Sequence, residues 1–135
     1  MAEQIVIDAE NGTIGRIAAF AAKQALQGNK IAIVNCNDAV ISGKEKFTLA
    51  EYNKKFARGK RRQVGPYYTR TPSGIMRRTV RGMIPYKQYR GENAFKNIRC
   101  YDVVPQEFQS SKKIQIKSTV IQSLSLKRLC ELIGK

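Results

Sequence analysis

The chain contains no histidine, and its three cysteines, Cys36, Cys100 and Cys130, stand far apart. Without histidine, the side chain that most readily moves a proton near neutral pH is missing. The carboxylates Asp8, Glu10 and Asp38 are scattered, and turn or capping roles suffice for them. No serine or cysteine is placed as a nucleophile, so a catalytic role is not expected. There is no CxxC pair, which leaves a zinc site without its usual ligand spacing. Each cysteine sits in an apolar run and reads as a buried free thiol, which fits a reducing compartment. The N-terminus has no charged-then-apolar leader, and no apolar run approaches membrane-spanning length. A cytoplasmic location is the expectation. Internal repeats and low-complexity tracts are absent as well.

Acidic residues are also scarce. There are 10 Asp+Glu against 25 Lys+Arg, giving a net charge of +15 over 135 residues and a pI near 10.1. That much like charge repels itself, and a polyanionic partner would relieve the repulsion. The excess is local. Residues 1–43 carry a net −1, residues 44–99 carry +13, and residues 100–135 carry +3. From Lys54 to Arg90 the chain reads KKFARGKRRQVGPYYTRTPSGIMRRTVRGMIPYKQYR, with twelve cations and no acid. Tyr67, Tyr68, Tyr86 and Tyr89 are interleaved with them. The hydrophobic fraction of 42% is ordinary for a globular chain, and the length suggests one domain with a real core.

Ile5 to Ile7 is a short β-rich run. After Asn11-Gly12, the stretch Ile14 to Gln27 places Ile14, Ile17, Ala18, Ala21, Ala25 and Leu26 at helical spacing. Thr13 is the expected N-cap and Gly28 the expected stop. Ile31 to Asn35 is a second apolar run, and Val40-Ile41 a third. Strand, helix and strand within about thirty residues make a βαβ unit with a parallel sheet. Thr48 to Glu51 matches a capping box, and a helix from there puts Leu49, Tyr52 and Phe56 on one side. Pro72-Ser73-Gly74 opens another helix, with Ile75, Met76, Thr79, Val80 and Met83 as its stripe and Arg77, Arg78 and Arg81 pointing outward. Gly82 costs this helix about 1 kcal/mol against alanine, which suggests that something approaches its backbone closely. A helical piece from Glu92 to Lys96 and a strand from Ile98 to Tyr101 follow. Ile114 to Ile121 alternates like an exposed strand. Leu126, Leu129, Cys130 and Ile133 form one face of a closing helix capped by Ser123 or Ser125.

Two stretches carry candidate chemistry. The turn Asn11 to Arg16 feeds a helix N-terminus, which can present N–H groups to a phosphate. It lacks both GxGxxG and GxxxxGK[ST], so Gly12 for the turn and Gly15 for helix packing is the simpler reading. One phosphate of a longer nucleic acid at Gly15 and Arg16 is an intermediate reading. The basic block has three readings. A solvated charged face should contain acids, and this one does not. A membrane patch needs an unbroken amphipathic helix, whereas glycines and prolines interrupt this stretch. A nucleic-acid surface uses every feature: arginine forks for phosphates, tyrosines for bases or sugars, and a loop that follows an irregular backbone. RNA is favoured over DNA because no helix-turn-helix, zinc-finger or basic-zipper pattern occurs. For the individual tyrosines, packing on local helices and stacking on bases both stand. Gly59 to Thr71 reads as a mobile part that orders on RNA, and Ser73 to Ile84 as an anchored part.

Val80-Arg81-Gly82-Met83-Ile84-Pro85, with Tyr86-Lys87, Arg90-Gly91 and Ala94-Phe95-Lys96, resembles the signature of the large-subunit ribosomal protein L-thirteen family. Ile7-Asp8-Ala9, Gly15-Arg16-Ile17-Ala18, Ile33-Val34-Asn35, Ile41-Ser42-Gly43 and Arg99-Cys100-Tyr101-Asp102 are similar to it in the same order. The compact length and the ending from Leu124 to Gly134 look like the archaeal and eukaryotic form. Residues 106–122 depart from it. The resemblance implies a three-layer α/β/α domain around a small, mostly parallel four-stranded sheet with a basic loop-and-helix extension. It also implies a structural role in the large ribosomal subunit and its assembly, with large-subunit rRNA and neighbouring proteins as partners. No membrane, no small-molecule substrate, no cofactor and no metal come with it. The residues expected to touch RNA are Lys54, Lys55, Arg58, Lys60, Arg61, Arg62, Tyr67, Tyr68, Arg70, Arg77, Arg78, Arg81, Lys87 and Arg90, with Gly15 and Arg16 as a phosphate contact. The competing readings are a free RNA-binding translational regulator and a nucleotide-dependent enzyme using the Gly12–Arg16 turn.

Overall fold

The computed structural model describes residues 4–57, 70–116 and 123–133. In chain order the elements are β1 (Gln4–Asp8), α1 (Ile14–Leu26), β2 (Lys30–Val34), β3 (Val40–Ser42) and α2 (Glu45–Ala57), then α3 (Pro72–Gly82), α4 (Tyr89–Lys96) and β4 (Ile98–Cys100), and finally β5 (Lys113–Gln115), β6 (Ser123–Ser125) and α5 (Leu126–Ile133). Four strands form one parallel sheet in the order β4-β2-β1-β5. The β1–α1–β2 unit is the βαβ motif expected from the two apolar runs. β3 is not part of that sheet. It pairs antiparallel with β6, Ile41 opposite Leu124. Val40 and Ile41 are half-buried, and Ile41 packs against the helix-side core from outside the parallel sheet.

Strand alternation sorts the side chains into two layers. Ile7, Ile31, Ile33 and Ile98 face the helices and are buried with Ile17, Ala18 and Ala21 of α1, Met76 and Val80 of α3, and Leu126 and Leu129 of α5. Burying each of the larger of these contributes roughly 1.5–3 kcal/mol. The alanines of α1 remove the bulk that would hold the helix off the sheet. Val6, Ala32 and Val34 face the other way and are covered by Tyr101, Val104 and Phe108. The Tyr101 and Phe108 rings lie 5.8 Å apart, centroid to centroid. On this side a one-turn 3-10 helix, Gln106–Phe108, supplies the third layer. The α/β class and the small parallel sheet agree with the expectation.

Local endings follow from local chemistry. Gly28 takes φ +97° after α1, which suits the left-handed stop expected there. Thr71 caps α3, its Oγ1 accepting from the Gly74 N–H at 3.2 Å. Ser125 Oγ accepts from the Arg128 N–H at 3.2 Å at the start of α5. Two expectations are corrected. The capping box at Thr48 is not used, because α2 begins a turn earlier at Glu45, just after Gly43 at φ +119°. Thr48 is instead buried inside the helix. Met83 is not a core residue. α3 ends at Gly82, the chain turns, and Ile84 takes the buried place while Met83 is 44% exposed.

At the C-terminal ends of β1 and β5, where ligands of open parallel sheets commonly bind, the space is occupied by the chain itself. Asp8 Oδ1 accepts from the Asn35 side-chain amide and from the Glu10 N–H, each at 3.0 Å, and Oδ2 accepts from Gln115 at 3.2 Å. Burial pushes the Asp8 carboxyl up, but these three hydrogen bonds and the nearby Lys113 charge outweigh it, and the carboxyl sits below its ordinary value. A lowered folded-state pKa means that the unfolded chain binds more protons in the window between the two values. The stabilisation is therefore complete above about pH 4 and is lost as pH falls through the folded value. Asp8→Asn should flatten the acid limb of a urea-midpoint-versus-pH curve. An unchanged acid limb would show that Asp8 is not the group responsible.

The thiols behave as free cysteines. Cys36 is buried, and Cys100 and Cys130 are half-buried. Hydrogen bonding with Cys100, together with burial, holds the Cys36 thiol above its usual range. Burial and the Asp102 charge raise Cys130 to about 11. Neither Cys36 nor Cys130 is primed as a thiolate.

Candidate nucleic-acid interface

α3 organises the face. Its apolar side, Ile75, Met76 and Val80, is buried against α1 and the sheet. That burial fixes where its three arginines emerge. They do not emerge alike. Arg77 donates to the Ile98 carbonyl and lies over the Phe95 ring, 4.2 Å from guanidinium carbon to centroid. It therefore ties α3 to β4 and α4 rather than pointing freely outward as expected. The reason is its position beside Ile98, whose carbonyl at the edge strand has no further strand to bond. Arg81 lies over the Tyr86 ring at 5.1 Å, and Arg78 is half-buried beside the groove towards α2. Arg77→Ala should therefore cost about 2 kcal/mol of folding stability in urea unfolding, from one charge-assisted hydrogen bond and one cation–π contact. Lys87→Ala, on an exposed turn, should change it by less than about 0.5 kcal/mol. Equal losses for the two variants would overturn this division.

The N-terminus of α3 is already satisfied. The Ser73 N–H donates to Asp102 Oδ1 at 2.8 Å, beside the Thr71 cap. This carboxylate occupies the place an anion would take. Arg70 is also engaged. It donates to the Ile133 carbonyl at 3.3 Å, at the negative end of α5.

The other expected contacts are distributed around this helix. Lys54 is exposed on α2. Lys55 sits over the Tyr52 ring at 4.7 Å and pairs with Glu51 at 3.7 Å. Lys87 and Arg90 are exposed on the turn and on α4, next to Tyr89, which is 81% exposed. Arg58, Lys60, Arg61, Arg62, Tyr67 and Tyr68 lie outside the described residues, as does most of the segment from Gly59 to Thr71. Arg16 is exposed in the first turn of α1, with Gly15 half-buried beside it. The glycine before them, Gly12, has a packing reason. A Cβ there would stand 2.3 Å from the Ile116 carbonyl oxygen and 2.8 Å from the Ile17 Cδ1. The Gly12 carbonyl also accepts from the Val40 N–H at 2.9 Å. These contacts account for the turn without a nucleotide.

What the chain brings together is a cleft of about 270 Å³ between α2 and α3. Lys55, Arg78 and Arg81 converge on it, with Tyr52 and Tyr86 among its walls, and no carboxylate is among its lining residues. Tyr52 was readable only as an apolar-face residue, because its spacing with Leu49 signals the core. Gly82 lines the same cleft. The close approach expected there is absent among the described residues, where nothing stands within 4 Å of a Cβ built on it.

A second cationic group was not anticipated. Lys30, Lys96 and Arg99 line a hollow of about 230 Å³ with Tyr101 and Phe108. Arg99 sits opposite Ala32 and points away from the face that Ile98 buries. The alternation of Ile98, Arg99 and Cys100 carries this signal, but three residues are too few to read. Among the described residues no His/Cys/Asp/Glu group could hold a metal, and no helix is long and apolar enough to cross a membrane.

Fold and site thus define a small α/β domain whose helical face and opposite sheet face both carry cations. The family model described as ribosomal protein L13 matches residues 2–107. A large ribosomal subunit protein uL13 from Archaeoglobus fulgidus is 38% identical over 89% of this chain and 76% of its own length. The uL13 of Methanopyrus kandleri is 46% identical over 76% of this chain and 64% of its own length. That of Methanosarcina barkeri is 41% identical over 94% and 91%. The chain belongs to the ribosomal protein L13 family. The family model's match ends at residue 107, whereas the Methanosarcina barkeri relative aligns over 94% of the chain, beyond the point where the sequence resemblance was expected to depart.

Proposed function

We propose that this protein is a structural constituent of the large ribosomal subunit, held by rRNA and supporting subunit assembly. The observation that carries the reading is the convergence of Lys55, Arg78 and Arg81 on one groove with no acid among its described lining residues, in a member of this family. Cations on the opposite sheet face, Lys30, Lys96 and Arg99, let one domain touch two RNA segments and lower the repulsion between them. We read residues 1–135 as one domain with the basic segment 54–90 inserted in the core. Its place is the cytoplasm, beside neighbouring large-subunit proteins. The Gly15 and Arg16 end of α1 is one further phosphate contact. The reading assigns no reaction, cofactor or small-molecule substrate.

Sedimentation of cell extract on a sucrose gradient tests this. The protein should travel with large subunits and move to the top after a high-salt wash. A free translational regulator uses the same surface but stays at the top in low salt, and that result would overturn the ribosomal assignment.

A further inference from the structure

We propose that the cleft between α2 and α3 receives a single unpaired nucleotide of an RNA strand, its base against Tyr86 and its phosphate between Lys55 and Arg78. The proposal rests on the RNA-binding reading and adds a site to it.

Four features of the cleft point there. The first is size. At about 270 Å³ it lies just below the roughly 300 Å³ at which drug-sized ligand pockets start, which suits an open recess for part of one nucleotide. The second is its walls. Tyr86 is 40% exposed and has the Arg81 guanidinium over its ring at 5.1 Å. Tyrosine faces and guanidinium planes are the surfaces on which splayed bases stack. The floor is apolar, with Ile75 and Tyr52 both buried. The third is charge. Lys55 is held by an i,i+4 pair with Glu51, whose carboxyl side is 68% exposed. Such a pair contributes little and exchanges readily for a phosphate.

The fourth feature is Gly82. Glycine weakens a helix, so its presence needs a reason. Its φ is not positive, so the backbone does not require it. No described atom lies within 4 Å of a Cβ built on it, so no packing contact among the described residues requires it. Among those residues the missing side chain leaves the α3 backbone open at the cleft wall, where a ligand can approach closely. An RNA duplex offers side chains mainly phosphates and sugar edges and has no use for such a recess. An unpaired nucleotide does.

Binding of two probes at fixed ionic strength decides the matter: a short oligouridylate, and a blunt RNA duplex of the same nucleotide count. Gly82→Leu fills the cleft without altering charge, and Tyr86→Ala removes its stacking wall. Each should weaken oligouridylate binding by roughly 5- to 100-fold while moving duplex binding by less than about twofold. Equal losses for both probes, or no loss for either, overturn the site. If the unmodified protein binds neither probe in a salt-sensitive way, the RNA-binding reading falls and the site with it. Thermal unfolding of both variants checks the fold. Should Gly82→Leu be unfolded, the probe ratio for Tyr86→Ala decides alone.

Discussion

Raising salt from about 50 to about 200 mM should weaken binding to large-subunit rRNA by roughly 10³- to 10⁵-fold, if some six to ten phosphates are engaged. The basis is the Lys54–Arg90 segment, with twelve cations and no acid. Among the described residues, Arg70 donates to the Ile133 carbonyl and Arg77 to the Ile98 carbonyl, so those two are held within the protein. The segment's other cations set its contribution, to which Lys30, Lys96 and Arg99 can add from the other side. Log K against log salt should fall with a slope of about −0.9 per phosphate on duplex RNA, and less steeply on single strands. Neutralising Lys30, Lys96 and Arg99 together should make that slope about two to three shallower without altering the preference between RNA sequences. A flat plot would mean that the cations are spent on the protein itself, and would remove the ground for the rRNA assignment.

Gly91→Ala should destabilise the protein by about 3 kcal/mol in urea unfolding. Gly91 is buried in the first turn of α4, where that helix crosses the turn after α3. A Cβ there would stand 1.9 Å from the Pro85 carbonyl oxygen and 2.3 Å from its carbon. Both are backbone atoms, so no rotamer change relieves the clash. The Pro85 carbonyl also accepts from the Gln88 N–H at 3.0 Å, which locks the turn from the other side. Gly82→Ala, nine residues earlier, supplies the contrast. Its Cβ meets nothing among the described residues, and removing a helical glycine should stabilise by up to about 1 kcal/mol. Opposite signs from the same substitution, so near in sequence, report the tertiary environment directly. If Gly91→Ala were as stable as the unmodified protein, α4 would not rest on the Pro85 turn.

These two glycines also show where sequence reading stops. Both sit in the stretch that carries the family resemblance, but only Gly82 reads from the sequence as a point of close approach. Among the described residues it is Gly91 that the protein's own chain approaches. Pro85 lies in the turn after α3 and Gly91 in α4, so the two share no helix face or strand and no periodicity marks their contact. The same limit applies to Arg77 and Arg81, four residues apart. Helical spacing gives them one outward face, yet Arg77 is drawn to a carbonyl on β4, twenty-one residues away.

β1, α1, β2, α3 and α5 were legible because their signals are local. Unbroken apolar runs mark strands buried on both faces, and the stripes in α1, α3 and α5 follow the helical period. The charge reading was legible for a similar reason, since a block of cations without acids requires no knowledge of neighbours. The opposite held for β3. Its apolar character was visible, but its partner Ser123–Ser125 stands more than eighty residues away. Thr48 misled because a capping box is a local signal, and the glycine break before Lys44 overrode it.

By itself, then, the sequence determined a small α/β domain with an acid-free cationic segment, no histidine chemistry and a family signature. These properties rest on composition and on spacings of a few residues. The tertiary structure alone decided which cations are spent on carbonyls and which meet in the α2–α3 cleft. It also decided that a second cationic group lies beyond the sheet, and that Gly91 rather than Gly82 is the tight contact. Each of those depends on groups brought together by burial of the Ile7, Ile33 and Met76 core, and a contact made by burial leaves no period in the chain.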